Sequence, residues 1–397
     1  MAAATYTPPR TPPEPLPKPA EVLLLDFRPP AGERPVPPKD RPIKLLQWNI
    51  ERGYKLDAII AELRALDADV LALQEIDIHC ERSGWVDTGR AIAQALGLAY
   101  AFVAEFEEIH SPLRAADAQG GGVHGNAILS KYDIIEARCV EHTTHPIDWE
   151  LPPPQQPHKL AAREPRKGRR VTTAATIATP QGPLLVYSAH LECFCGALAR
   201  MAQLSDLFRD TRQQAERAGG AGGPPKPLAA ALMGDLNTLA NGVARLSPHY
   251  CNDHLRWASL GWFEAELLDH RVLRVTDPAP LNEWARRQGL PEAVCRDLVN
   301  PGYSDPWDSR HDITFDHVKY RYLGQRLMTG KLDWVLLRHA AVVSRAMGNQ
   351  EYTASDHKWL AVEVNLEQGG TAEGGGKEAE GKGAEGEKAE GEKAEAE

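Results

Sequence analysis

Cysteine is scarce in this chain: six in 397 residues, at positions 80, 139, 193, 195, 251 and 295, with no CxxC pair and no disulfide-scaffold spacing. That excludes a small disulfide-stapled fold and points to a reduced, intracellular protein. Cys193 and Cys195 follow His190 closely, but the spacing fits no common structural zinc site. Long apolar runs are missing too. Val22-Leu23-Leu24-Leu25 is too short and too acid-flanked for a signal-peptide core, and nothing approaches a transmembrane segment. We expect a cytoplasmic or nuclear protein, with organelle targeting by the N-terminal arm left open. Excess positive charge is the third absence. The formal net charge is −10, half of it carried by the nine Glu and four Lys of Gly369–Glu397. A mildly acidic body argues against sequence-independent DNA binding over a large basic footprint, yet leaves room for a local phosphate site.

What is present divides the chain into three. Twelve prolines crowd the region up to Asp40, which predicts a Pro-rich extended N-terminal arm over residues 1–41. Gly, Ala, Lys and Glu without apolar periodicity predict a disordered tail over 367–397. Between them, residues 42–366 are rich enough in apolar side chains for a substantial core, with insertions near 141–170 and 239–330.

Ile43-Lys44-Leu45-Leu46-Gln47-Trp48-Asn49 reads as a strand ending on Asn49-Ile50-Glu51. Leu56, Ile59, Ile60, Leu63 and Leu66 predict a helix over 55–66, and Asp69 to Glu75 a second, buried strand. Strand, helix, strand is a βαβ unit whose parallel strands end on one edge, so Glu75 should lie near Asn49 and Glu51. A second helix is expected over 86–96, strands over 100–103 and 126–130, and a hairpin of 171–178 with 184–191 that brings His190 to the end of its second arm. Leu198, Met201, Leu204, Leu207 and Phe208 form a helical core stripe over 196–218. The apolar run Leu228 to Leu232 leads into Met233-Gly234-Asp235-Leu236-Asn237, where strand alternation sends Asp235 and Asn237 out on the same side. Two further strands, 331–337 and 358–364, carry Asp333 and are preceded by Asp356-His357. Within 141–170, Pro152-Pro153-Pro154 and the cations Arg163, Arg166, Lys167, Arg169 and Arg170 read as a solvated loop, with a substrate-facing basic loop as the sharper alternative. Short helical patterns near 258–268 and 281–287 break up the second insertion.

Polar residues thus recur at strand ends: Asn49, Glu51, Glu75, His190, Asp235, Asn237, Asp333, Asp356 and His357. Several carboxylates on one rim repel each other unless a cation or hydrogen-bond donors offset the charge. Oxygen ligands without thiolate select a hard ion, Mg²⁺ or Mn²⁺.

The ordered motifs Gln-Trp-Asn-Ile-Glu, Leu-Gln-Glu, Gly-Asn-Ala-Ile-Leu, Ser-Ala-His-Leu, Gly-Asp-Leu-Asn, Leu-Asp-Trp and Ser-Asp-His resemble the endonuclease/exonuclease/phosphatase superfamily, the DNase I-like fold, over residues 42–366. The resemblance implies an α/β fold: a four-layer α/β sandwich of two packed mixed β-sheets flanked by helices, with the site at one rim. It also implies roles. Asn49, Glu51, Glu75 and Asp356 match residues at the metal. Asp235 matches the group that orients or deprotonates the attacking water, and Asn237 an amide on the phosphate. Asp333 and His357 match a carboxylate–imidazole pair, and His190 the histidine facing the scissile phosphate in the deoxyribonuclease branch. Asn126 and Arg82 resemble residues expected to bind substrate.

The activity implied is that of a Mg²⁺- or Mn²⁺-dependent phosphodiesterase using in-line attack of water, with nucleic acid as the first substrate class. A sphingomyelinase-like or small-molecule phosphodiesterase or phosphatase is the second. Thr238-Leu239 after Gly-Asp-Leu-Asn, and Leu332-Asp333-Trp334 later, depart from the inositol-polyphosphate branch, and Ile76-Asp77 after Glu75 departs from the abasic-site branch. A non-catalytic binding module of the same fold is the alternative from another class. Degenerate members lose a metal ligand or the Asp-His pair, and none is missing here.

Overall fold

Alternation of apolar side chains over nearly every strand builds two sheets that share one filling. The computed structural model describes residues 10–34, 37–157, 159–220, 227–239, 253–255, 264–322, 324–326 and 329–367. Its strands are β1 (Val22–Asp26), β2 (Ile43–Asn49), β3 (Val70–Ile78), β4 (Ala99–Glu108), β5 (Gly122–Ser130), β6 (Asp133–Glu141), β7 (Arg166–Gly168), β8 (Val171–Thr179), β9 (Gly182–His190), β10 (Ala229–Asp235), β11 (Arg321–Tyr322), β12 (Gln325–Arg326), β13 (Asp333–Arg338), β14 (Ala340–Gly348) and β15 (Trp359–Leu366). One sheet runs β1-β4-β5-β3-β2-β15-β14, with β7 also on β4; the other runs β13-β10-β9-β8-β6. β2 with β3 and β9 with β10 are parallel and the remaining pairs antiparallel, so both sheets are mixed.

Neighbouring residues face opposite layers. Leu45, Val70 and Ile128 from one sheet meet Val186, Met233 and Val335 from the other in the filling between them. Leu46, Leu71 and Leu129 face outward onto Ile59 and Leu63 of α1 (Leu56–Leu66) and Ile92 of α2 (Thr88–Leu96). On the far side, Leu185, Tyr187 and Leu232 meet Leu204 and Phe208. Those two residues belong to α4 (Ala197–Gly219), which follows the short α3 (Lys159–Arg163). Helix, sheet, sheet, helix is the four-layer α/β arrangement that the motifs implied. Three shorter helices, α5 (Glu264–Leu268), α6 (Pro278–Arg287) and α7 (Glu292–Asp297), lie in the second insertion. No helix among the described residues is long and apolar enough to cross a membrane.

Local chemistry sets the helix ends. The Asp87 carboxylate accepts from the Arg90 amide at the start of α2, and Gly97 closes it in the left-handed conformation. In the stretch assigned to an arm, Val22–Asp26 is an edge strand paired with β4 from Val22↔Val103 to Asp26↔Ala99. The interval is free of proline, so its amides can join the ladder. β14 lies on the opposite edge, and the sequence reading placed no strand there. The expected 367–397 tail, apart from Glu367, falls outside the described residues, as do Cys251 and residues 258–263 of the first helical pattern in the second insertion.

Candidate active site

Both sheets deliver polar residues to one rim because parallel strands end there and antiparallel ones begin there. In the second sheet His190 at the end of β9, Asp235 at the end of β10 and Asp333 at the start of β13 are level partners across the ladder. Gly234 permits this: a Cβ there would meet the Ala189 carbonyl oxygen at 2.0 Å. From the first sheet, Asn49 ends β2 level with Gln74. A register shift between Leu73 and Ile76 marks a bulge that re-aims Glu75. Glu51, Arg52, Glu75 and Asn237 all have φ between 48° and 60°. Left-handed backbone at non-glycine residues is sparsely populated and concentrates where a structure over-determines geometry.

Asp235 is the hub. Its Oδ1 accepts from the Asn237 amide at 2.8 Å and its Oδ2 from Asn49 Nδ2 at 3.1 Å. His190 Nε2 lies 3.6 Å and His357 Nε2 3.7 Å from the same Oδ2. Asn49 Nδ2 also lies 3.4 Å from Glu75 Oε1, and the Asn237 side chain donates to the Leu191 carbonyl. His357 Nδ1 donates to Asp333 Oδ2 at 2.9 Å, while Gln47 donates to Asp333 Oδ1 at 2.8 Å. Two backbone anchors hold this corner: the Trp48 indole donates to the His357 carbonyl, and the Ser355 hydroxyl to the Asn49 carbonyl.

The two histidines are driven to opposite protonation states. Burial disfavours charge on His357, but the Asp333 and Asp235 carboxylates outweigh it and hold its pKa at about 10. His190 is pushed well below 6.5 by burial and by the Arg170 guanidinium. Arg170 lies 2.8 Å from Glu105 and 3.0 Å from His190 Nδ1. A guanidinium only donates, so Nδ1 must accept and the proton of neutral His190 sits on Nε2. Burial raises the Asp235 carboxyl to about 7, against the opposing pull of His357.

Among the described residues, two sets of three acid or imidazole groups come within 4.8 Å of one another: Glu105, His124 and His190, and Asp235, Asp333 and His357. Neither is the expected metal set of Asn49, Glu51, Glu75 and Asp356. Glu51 and Asp356 are instead bridged by the Lys319 ammonium, which lies 2.7 Å from Asp356 Oδ2 and against Glu51 Oε1. Asp356 also accepts from the Tyr320 hydroxyl and donates its amide to Glu51. The donors are hard oxygens and the rim already draws in a cation, so its chemistry fits a small divalent ion that would take the place of Lys319.

The Arg82 side chain is fully buried, with 2.8 Å bonds to Asp77 and a 3.2 Å contact with Glu108. Its charge is consumed internally, which spacing after Glu75 could not reveal. Asn126 is fully buried on the inter-sheet side of β5, and neither of its amide atoms has a partner. A cleft of about 280 Å³ opens on the rim; its lining includes Glu75, His190, Asp235, Asn237, Asp356 and His357, and with them Arg52, Trp149, Glu164, Arg166 and Arg170. The motifs missed Glu105, Arg52 and Lys319. A glutamate inside the otherwise apolar run Ala99–Phe106 was the signal available for Glu105. Nothing local flagged Lys319, 268 positions from Glu51.

Residues 46–357 match the model of the Endonuclease/Exonuclease/phosphatase family. No curated protein matches the sequence. Among solved structures, an endonuclease/exonuclease/phosphatase from Beutenbergia cavernae DSM 12333 is 17% identical with a TM-score of 0.46, covering 82% of this chain and 72% of that one. ANGEL2, a 2′,3′-cyclic phosphatase, in complex with adenosine-2′,3′-vanadate is 14% identical with a TM-score of 0.47, covering 87% and 99%. The human Nocturnin catalytic domain with bound sulfate is 16% identical with a TM-score of 0.43, covering 87% and 97%.

Proposed function

Since the chain belongs to the Endonuclease/Exonuclease/phosphatase family, we propose that it is a divalent-metal-dependent phosphodiesterase acting first on nucleic acid. The observation that supports this most is the convergence of His190, His357 and Asn49 within 3.7 Å of one carboxylate oxygen of Asp235.

In this reading Asp235, poised near neutrality, takes the proton of the attacking water, with its oxygens aimed by Asn237 and Asn49. His357, kept cationic and fixed in orientation by Asp333, donates from Nε2 to a phosphoryl oxygen as charge develops. His190, neutral with its proton on Nε2, donates a second hydrogen bond to the same group. Asn49, Glu51, Glu75 and Asp356 would hold Mg²⁺ or Mn²⁺. When bound, that ion supplies charge neutralisation at the phosphoryl oxygens. Asn237, which lines the cleft, is assigned to the phosphate side, whereas Asn126 stays buried between the sheets.

A cleft of about 280 Å³ favours a strand end or a small phosphodiester as the second reading. The test is release of nitrophenol from bis-p-nitrophenyl phosphate with Mg²⁺, Mn²⁺ or EDTA, in wild type and Asp235→Asn. We expect turnover that EDTA and the substitution each abolish while the thermal midpoint holds. Turnover in Asp235→Asn at the wild-type rate refutes the assignment, and none in wild type with either metal points to a binding module.

A further inference from the structure

The lining of the cleft carries two guanidiniums that the chemistry above does not use. Arg52 follows β2 in its left-handed turn, with Nε 3.7 Å from Glu75 Oε2, so it abuts the rim directly. Arg166 opens β7, and its guanidinium carbon lies 4.4 Å from the Trp149 ring and 4.8 Å from the Phe106 ring. Both donate to one oxygen, Glu164 Oε2, at 3.2 Å and 2.7 Å. All three residues and Trp149 line the cleft that holds His190, Asp235 and His357.

We infer that Arg52 and Arg166 form a second anion subsite, occupied here by the chain's own Glu164, which takes a phosphate monoester group carried by the substrate beside the scissile diester. The inference rests on the hydrolytic reading of the adjacent rim. Three features carry it. First, an oxyanion is already seated in the fork, so the geometry suits one. Second, positive charge outnumbers its partners here. Glu108, 3.6 Å from Arg166, is fully buried and shared with Arg82 and Arg114, and Glu75 is claimed by the proposed metal site. Arg166 is 6% exposed and its Nε has no hydrogen-bond partner. Third, Glu164 is the replaceable member. It lies between α3 and β7 with its side chain 31% exposed, whereas Arg166 is pinned by two aromatic rings. A dianionic phosphate offers the fork more charge and more acceptor oxygens than one carboxylate.

Binding is measured without turnover by calorimetric titration of inorganic phosphate into metal-free protein. The affinity should fall by about tenfold or more in Arg166→Gln and in the more exposed Arg52→Gln, and rise about threefold or more in Glu164→Gln, where the competing charge is gone. A purely structural ion pair predicts no tightening in Glu164→Gln, and that result overturns the inference. Thermal midpoints identify any variant that fails to fold. The catalytic arm compares the dinucleotide TpT with its 5′-phosphorylated and 3′-phosphorylated forms in Mg²⁺. Wild type should prefer one phosphorylated form by about thirtyfold in kcat/KM, and Arg166→Gln should cut that preference to about threefold or less. Cleavage of all three without preference defeats the subsite and leaves the hydrolytic reading standing. Absence of metal-dependent hydrolysis of every probe defeats the hydrolytic reading, and the phosphate titration then decides the subsite alone.

Discussion

Asp333→Asn removes the charge that keeps His357 cationic while keeping the side chain's shape. The new amide must set its NH2 against a donor, because one Asp333 oxygen accepts from Gln47 Nε2 and the other from His357 Nδ1. Between its ordinary 6.5 and about 10, His357 carries a preference for the imidazolium, which at about 1.4 kcal/mol per pKa unit comes to roughly 5 kcal/mol. Asp333 is the largest of the three carboxylate contributions, ahead of Asp235 and Asp356, so its loss should bring the group back to the region of pH 7, or about one tenth charged at about pH 8. Adding the loss of orientation at Nδ1, we expect kcat/KM on bis-p-nitrophenyl phosphate to fall by about 10²–10³ at that pH. The sign follows from the role: activity needs the protonated imidazole, so the basic limb of the pH profile should move from near 10 in wild type to near neutrality. The assay is kcat/KM in Mg²⁺ across about pH 6 to about pH 10, with thermal midpoints for both proteins. A basic limb that stays in place, or activity within roughly threefold of wild type throughout, refutes the assignment of His357 as the cationic donor.

The acid limb should report Asp235. Burial holds its carboxyl at about 7, so kcat/KM should rise with pH through neutrality as the base form appears, and a limb lying below about pH 5 contradicts its role. Lys319→Ala clears the ammonium from Glu51 and Asp356; Mn²⁺ affinity, read by electron paramagnetic resonance, should tighten about tenfold, and unchanged or weaker binding shows that the ion sits elsewhere. Arg82→Met takes the two-armed guanidinium contact from the fully buried Asp77, which keeps His124, and one of the arginines around Glu108, and urea denaturation should register a loss of about 3 kcal/mol. A cost under about 1 kcal/mol would return Arg82 to the list of substrate contacts.

The sequence was most legible where local rules act alone. Leu56 to Leu66 carry a helical stripe closed by Asp67 in the left-handed conformation, and α1 ends there. The βαβ inference that Glu75 lies near Asn49 needed only that parallel strands share an edge, and the two side chains lie 3.4 Å apart. Reading stopped where distant segments supply the partner. The edge strand Val22–Asp26 sits among prolines that mask it, and pairing with β4 decides it. β14 has a mostly exposed pattern with no core face to betray it.

At the site, residue type and strand position put Asp235, Asn237, His190, Asp333 and His357 at strand ends, because a strand's period of two and its direction are properties of the backbone, while the single rim they share came from the family resemblance. Protonation and occupancy were settled only by the tertiary structure. Whether an arginine faces solvent, a buried carboxylate or an imidazole depends on which distant groups surround it, and burial multiplies each such encounter. So Arg82 turned inward to Asp77, Arg170 set the tautomer of His190, Lys319 came to rest on Glu51 and Asp356, and Arg166 closed on Glu164. Neutral and charged histidine look alike in a sequence. The fields that separate them come from chain segments folded together over hundreds of positions.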